Sequence, residues 1–76
     1  MRETIEMIVK ALVDEREAVE VREIERRDGV LIEVRVAESD MGKLIGRQGR
    51  TVRALRSLLH AAGMKRERRF LLDIIE

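Results

Sequence analysis

Cysteine is absent from this chain of 76 residues, histidine occurs once, and the aromatic content is a single phenylalanine, Phe70. The first absence excludes disulfides and thiolate zinc sites and removes the usual mark of a secreted, oxidising setting. His60 alone cannot build a metal centre, so neither a metal nor any other cofactor is expected. No run approaches the ~18 apolar residues of a membrane span. The amino terminus passes from Arg2 and Glu3 directly into a patterned helix with no apolar signal core, and the chain reads as cytoplasmic. Linkers, repeats and low-complexity stretches are missing too, which leaves a single domain over residues 1–76. Below roughly 80 residues, a fold without disulfide or metal depends on dense packing or on self-association.

Charge is abundant. Asp, Glu, Lys and Arg make up 41% of the chain for a formal net charge of +1. Residues 1–40 carry twelve acids against seven bases, whereas residues 41–76 carry nine bases against three acids. Such an asymmetry points to a polyanionic partner for the basic half, unless folding re-mixes the two.

Ile5, Ile8, Val9, Leu12 and Val13 recur at helical spacing and predict an amphipathic helix over Thr4–Asp14, its stripe widened by Met7 and Ala11. Val19 and Val21 alternate and Ile24 breaks the phase by one residue, which a bulge or an irregular strand end would explain. Asp28-Gly29 supplies a two-residue hairpin turn, and Val30, Ile32, Val34 and Val36 then alternate as a strand buried on one face. Ser39 or Asp40 can cap a short helix ending at Ile45, and a second helix is expected from Arg50 to Ala62 with Gly63 as its stop. Phe70–Ile75 reads as a short buried strand. The order αββααβ predicts an α+β domain, a three-stranded mixed sheet covered on one face by three helices.

The chemistry concentrates between Ser39 and Arg56, which hold three of the five glycines and five basic side chains. At the centre lies Gly46-Arg47-Gln48-Gly49. Glycine at both ends lets a loop's backbone approach a ligand, and a helix starting at Arg50 would aim free N–H groups and its positive dipole end outward. On a helical wheel, Val52, Leu55, Leu58, Leu59 and Ala62 form one arc, and Arg50, Arg53, Arg56, Ser57 and His60 the other. The second arc, with Arg47 and Lys43, makes a basic strip suited to a chain of phosphates. A Walker loop is excluded by spacing and by the missing lysine and hydroxyl, and a dinucleotide fingerprint by Leu44 where glycine is needed. The same two glycines could also serve a plain helix–helix turn, and the bases could be surface charge. Either Leu44 or Ile45 should anchor the core while the other faces a ligand groove.

A Gly-x-x-Gly loop between two short helices, after a hairpin and before a basic helix face, resembles a K-homology (KH) domain. The helix-first order is similar to the type II, prokaryotic version. Asp40-x-Gly42-Lys43-Leu44-Ile45-Gly46-Arg47-Gln48-Gly49-Arg50-Thr51 resembles the signature of the small stand-alone bacterial KhpA family, and the likeness covers essentially the whole chain. The resemblance implies a loop clamping single-stranded RNA by its backbone, through Gly46, Arg47, Gln48 and Gly49 with Lys43, Ile45, Arg50, Thr51 and Arg53 around them. It further implies a weakly selective role as a post-transcriptional regulator or RNA chaperone, and a heteromer with a KhpB/Jag-like partner. One departure is the turn Glu15-Arg16-Glu17, which lacks the proline expected from relatives.

Stacking of bases on aromatic platforms is closed to a chain with one phenylalanine, so recognition would lean on backbone electrostatics and an aliphatic groove. The alternative role is that of an assembly subunit acting through protein contacts. No nucleophile, metal or acid/base constellation supports an enzyme; His60 has neither a nucleophile nor an orienting carboxylate beside it in the sequence pattern. Small size without covalent staples, and the gain from linking two weak sites, lead us to expect a homodimer.

Overall fold

The helical spacing of the first apolar residues is realised in α1 (Arg2–Leu12), which begins a chain of alternating layers in the computed structural model. After it come β1 (Glu20–Arg26), β2 (Gly29–Arg35), α2 (Met41–Ile45), α3 (Arg50–Arg66) and β3 (Phe70–Ile75), the predicted αββααβ order. The structure describes residues 1–75; Glu76, the last residue of the expected domain, lies outside the described residues. The helix α1 starts and stops two residues ahead of the predicted window. Ile5 and Val9 are fully buried and Val13 follows them inward, but Met7 and Leu12 remain 66% and 39% exposed, so the buried stripe is narrower than the periodicity suggests.

β1 and β2 pair antiparallel from Glu20↔Arg35 to Arg26↔Gly29 in one unbroken register, with no bulge. The phase slip has another cause. Val21, opposite Val34, faces the helices, whereas Ile24 stands opposite Leu31 on the other face, and the exposed Glu23 and Glu25 take the remaining positions on Val21's side. The turn is Arg27-Asp28 rather than Asp28-Gly29, since Gly29 already pairs with Arg26. Gly29 is needed for a different reason: at φ 144° a side chain there would run into the Arg69 carbonyl, which accepts a hydrogen bond from the Val30 N–H at 2.8 Å.

β3 joins β2 in parallel, Val30 opposite Phe70 and Val34 opposite Ile74, so the sheet order is β1-β2-β3 and the sheet is mixed. The expectation of a buried final strand fails, because β3 is an edge strand and its five apolar residues are only half-buried. The core lies between the sheet's helix face and α1, α2 and α3, with Ile5, Val9, Ile32, Val34, Leu44 and Leu59 at 0 to 1% exposure. Removing such a side chain typically costs about 2–5 kcal/mol. The opposite face is not wholly polar. A row of Ile24, Leu31 and Leu71 crosses it, flanked by the cross-strand ion pairs Arg22–Glu33 at 3.5 Å and Glu20–Arg35 at 4.0 Å.

Gly63 does not stop α3, which continues to Arg66. Glycine is required inside the helix because the returning chain packs on it: a Cβ would overlap the Arg68 carbonyl and lie 3.4 Å from the Phe70 ring. The helix closes instead at Glu67, in the left-handed region at φ 56°, with the Arg68 N–H bonded to the Gly63 carbonyl at 2.8 Å. This closure resembles the usual glycine-ended one, carried by a residue that takes the conformation at a steric cost.

Asp40 caps no helix with its side chain. It is 1% exposed, and its carboxylate turns back to accept the backbone N–H groups of Asp14 at 3.1 Å and Glu15 at 2.9 Å. Lys43, one turn on, is bonded to Asp14 and lies 3.7 Å from Asp40. One buried carboxylate thus fastens the turn after α1 to the start of α2. The Glu15 and Asp14 N–H groups and the nearby Lys43 charge hold the Asp40 carboxyl below its ordinary pKa, against the opposing effect of burial. The bond to Asp14 holds the Lys43 ammonium above its ordinary value.

A carboxyl depressed in the folded state stabilises the fold above its unfolded pKa of about 4 and loses that contribution as pH falls through the folded value. Asp40→Asn should therefore lower Tm by several degrees at neutral pH, and the gap to the parent should narrow below about pH 4. Thermal melts followed by circular dichroism across an acid series check this; a gap that does not change with pH would contradict it.

Candidate nucleic-acid interface

The loop between α2 and α3 is a single 3₁₀ turn, Arg47–Gly49, entered through Gly46 at φ 80° and ψ 167°. Two left-handed residues follow each other, Gln48 at φ 57° and Gly49 at φ 74°. The glycines differ in what they permit. At Gly46 a Cβ would lie 2.7 Å from the Thr51 Cβ and 2.8 Å from the Thr51 backbone nitrogen, whereas at Gly49 the nearest atom is Val52 Cγ1 at 3.9 Å. Gly46 is thus fixed by sterics as well as φ, and Gly49 by φ alone. The Gly46 N–H donates to the Gly42 carbonyl at 2.8 Å and the Gly49 N–H to the Gly46 carbonyl at 3.1 Å, which ties the loop to α2. No side chain caps the amino terminus of α3. The N–H groups of its first turn are the orphan donors of any helix start and face the same side as the loop.

Leu44 is fully buried and Ile45 is 40% exposed, which settles which of the two anchors the core. Arg47, Gln48, Arg50 and Arg53 are exposed, and Thr51 is half-buried over Gly46. Among the described residues, no carboxylate lies within ion-pair distance of Arg47, Arg50, Arg53 or Arg56, although the chain has nearly as many acids as bases. Lys43 differs, being engaged by Asp14 and Asp40. Arg53 folds back on the loop, its Nε donating to the Gly49 carbonyl at 3.3 Å and its Nη2 to the Gln48 carbonyl at 2.9 Å.

Further along α3 the exposed strip meets a groove of about 690 Å³ between the helix and β3. Arg56 and His60 line it from α3, Arg69 and the apolar Phe70 and Leu72 from β3 and the turn before it. Sequence reasoning missed the contribution of Arg69, Phe70 and Leu72. The parallel β2–β3 register that brings them beside α3 is a tertiary outcome, and the only available signal was the basic run immediately before the final apolar run. The wheel's apolar arc is corrected at one position, since Leu58 is 42% exposed at its margin rather than docked on the sheet.

A three-stranded mixed sheet with three helices on one face, and a Gly-x-x-Gly turn joining the second helix to the third, define a type II KH domain. The chain belongs to the KhpA/KhpB KH-domain family, whose model matches residues 2–74. It is 48% identical over 75 residues to the RNA-binding protein KhpA of Caldanaerobacter subterraneus subsp. tengcongensis, covering 99% of this chain and 100% of that one. The protein of the same name from Aquifex aeolicus is 45% identical over 76 residues, covering 100% of this chain and 96% of the other. The Borreliella burgdorferi protein of that name is 47% identical over 74 residues, covering 97% and 90% respectively. No solved structure matches the chain.

The two glycines should respond unequally to the same change. Gly49→Ala should cost about 1–2 kcal/mol, the penalty for a left-handed non-glycine residue. Gly46→Ala adds to that an overlap with the Thr51 backbone and should cost more while displacing the start of α3. Chemical denaturation of both variants, with nitrogen–proton NMR shifts of residues 50–53, reads the difference; equal losses would overturn it.

Proposed function

We propose that the chain binds single-stranded RNA, with the phosphate backbone on the Gly46–Gly49 loop and the first turn of α3 and the bases lying in the groove beside β3. The observation that carries this reading is the row of arginines without carboxylate partners among the described residues, Arg47, Arg50 and Arg56, running from the loop to the groove. Uncompensated guanidinium groups beside orphan N–H donors favour a polyanion, and the similar proteins are named as RNA-binding. Gly46, Arg47, Gln48 and Gly49 form the clamp, Arg50 extends it, Thr51 shapes it, and the exposed Ile45 offers an apolar edge. Lys43 reaches a phosphate only by leaving Asp14. With no aromatic platform but Phe70, sequence preference is weak, which suits a cytoplasmic post-transcriptional regulator or RNA chaperone more than a site-specific repressor. The chemistry is binding, not catalysis.

A homodimer is part of the proposal. Leu58 is 42% exposed on α3, and Ala54 and Ala61 of the same helix side are exposed with it, a strip that a second α3 could cover. Because one family model describes KhpA and KhpB domains together, a KhpB/Jag-like protein is a second candidate for that strip.

Two measurements test these readings. Replacing Arg47 and Gln48 together by Asp should abolish retention of a short single-stranded RNA while leaving the fold intact, because Asp tolerates the left-handed conformation at position 48. In the parent, three neutralised phosphates predict a slope of log K against log salt of about −2. Salt-independent binding, or unchanged RNA retention by the variant, would favour the assembly role. Sedimentation at tens of micromolar should show a dimer in the parent and a monomer in Leu58→Glu; a monomeric parent would count against self-association.

A further inference from the structure

We infer that Arg53 is a positioning residue, setting the shape and polarity of the Gly46–Gly49 loop rather than neutralising a phosphate, an assignment that rests on the loop being the RNA-backbone site. Both of its observed bonds go to the loop's own carbonyls, from Nε to Gly49 at 3.3 Å and from Nη2 to Gln48 at 2.9 Å. Those oxygens belong to the two consecutive left-handed residues of the turn. One of them, Gln48, takes that conformation against the preference of any residue with a side chain, so it needs an outside restraint. The guanidinium, one helical turn along α3, supplies it.

The same contact changes what the loop offers an anion. A carbonyl oxygen carries partial negative charge, and the guanidinium bonded to these two offsets that charge at the edge of the loop. Covered by a planar cation, they are neutralised, and what remains outward is the donor surface of the α3 amino terminus and the charges of Arg47 and Arg50. A lysine in the same place would be a point charge without the rigid fork needed to hold two separate acceptors. Shape and polarity therefore depend on arginine itself, whereas a simple phosphate contact depends mainly on charge.

Binding of a labelled short oligouridylate across a potassium chloride series separates the two roles, using the parent, Arg53→Lys, Arg53→Gln and Arg50→Gln. Both Arg53 variants should weaken binding by about tenfold. The salt slope should be unchanged in Arg53→Gln but should fall by about 0.7 in Arg50→Gln, which removes one phosphate contact. In the absence of RNA, nitrogen relaxation should show Gln48 and Gly49 ordered in the parent and mobile in Arg53→Gln. Parent-like binding by Arg53→Lys, or a slope reduced by about 0.7 in Arg53→Gln with the loop still ordered, would overturn the assignment. If the parent binds no single-stranded RNA, the RNA reading falls, and the relaxation measurement still decides whether Arg53 holds the loop.

Discussion

The candidate site depends on a carboxylate that touches it only at its edge, through Lys43. Asp40 is sealed from water between the end of α1 and the start of α2, and by accepting two backbone N–H groups it fixes where α2 begins. A helix of five residues has no stability of its own. Its direction comes from that anchor at one end and the buried Leu44 at the other, and the direction of α2 determines where the Gly46–Gly49 turn projects. Lys43 closes the arrangement by giving the anion a nearby positive charge, so a basic residue of the signature stretch is committed to the fold.

Charge is otherwise sorted by function. On the open face of the sheet, acids and bases stand directly opposite each other in register, Arg22 with Glu33 and Glu20 with Arg35, and on the other side of β1 Arg68 reaches Glu25 at 2.7 Å. Glu20–Arg35 and Arg68–Glu25 are exposed, and pairs of that kind contribute about 0.2–1 kcal/mol each, so their worth to stability is small. Their larger effect is to absorb the acids of the first half of the chain far from the loop. Among the described residues the arginines of α3 are left without carboxylate partners, and a net charge near zero coexists with a strongly positive strip.

The order of elements, the hairpin and the glycine turn were legible because each rests on local rules: helical or alternating periodicity, and glycine where backbone must come close. The readings that failed share a different cause. Asp40 looks like an N-cap from its neighbours, and only the return of Asp14 and Glu15 from 25 or 26 residues away shows otherwise. Gly63 looks like a helix stop until Arg68 and Phe70 are seen packed on it. Ile24 looks like a slipped core residue because sequence does not reveal that the open face has an apolar row of its own. In the site, Arg53 was readable as a basic residue on the exposed arc, but not as one whose bonds turn inward to the loop.

That apolar row has a bearing on how the sheet finds its alignment. A strand with one oily and one polar side is aligned by burial, since a shift of one residue would turn its oily side to water. β3 is apolar on both sides apart from the exposed Asp73, so burial resists a one-residue shift of this parallel pair mainly by keeping that one carboxylate on the open face. Further discrimination comes just before β3, where the missing side chain of Gly29 admits the Arg69 carbonyl and lets it meet the Val30 N–H, and that of Gly63 admits the Arg68 carbonyl. Shifting β3 by a residue would put a different carbonyl against the Gly29 gap and move Phe70 out from under α3. Two missing side chains, at Gly29 and Gly63, thus act as indexing marks for the last strand, and through it for the wall of the groove.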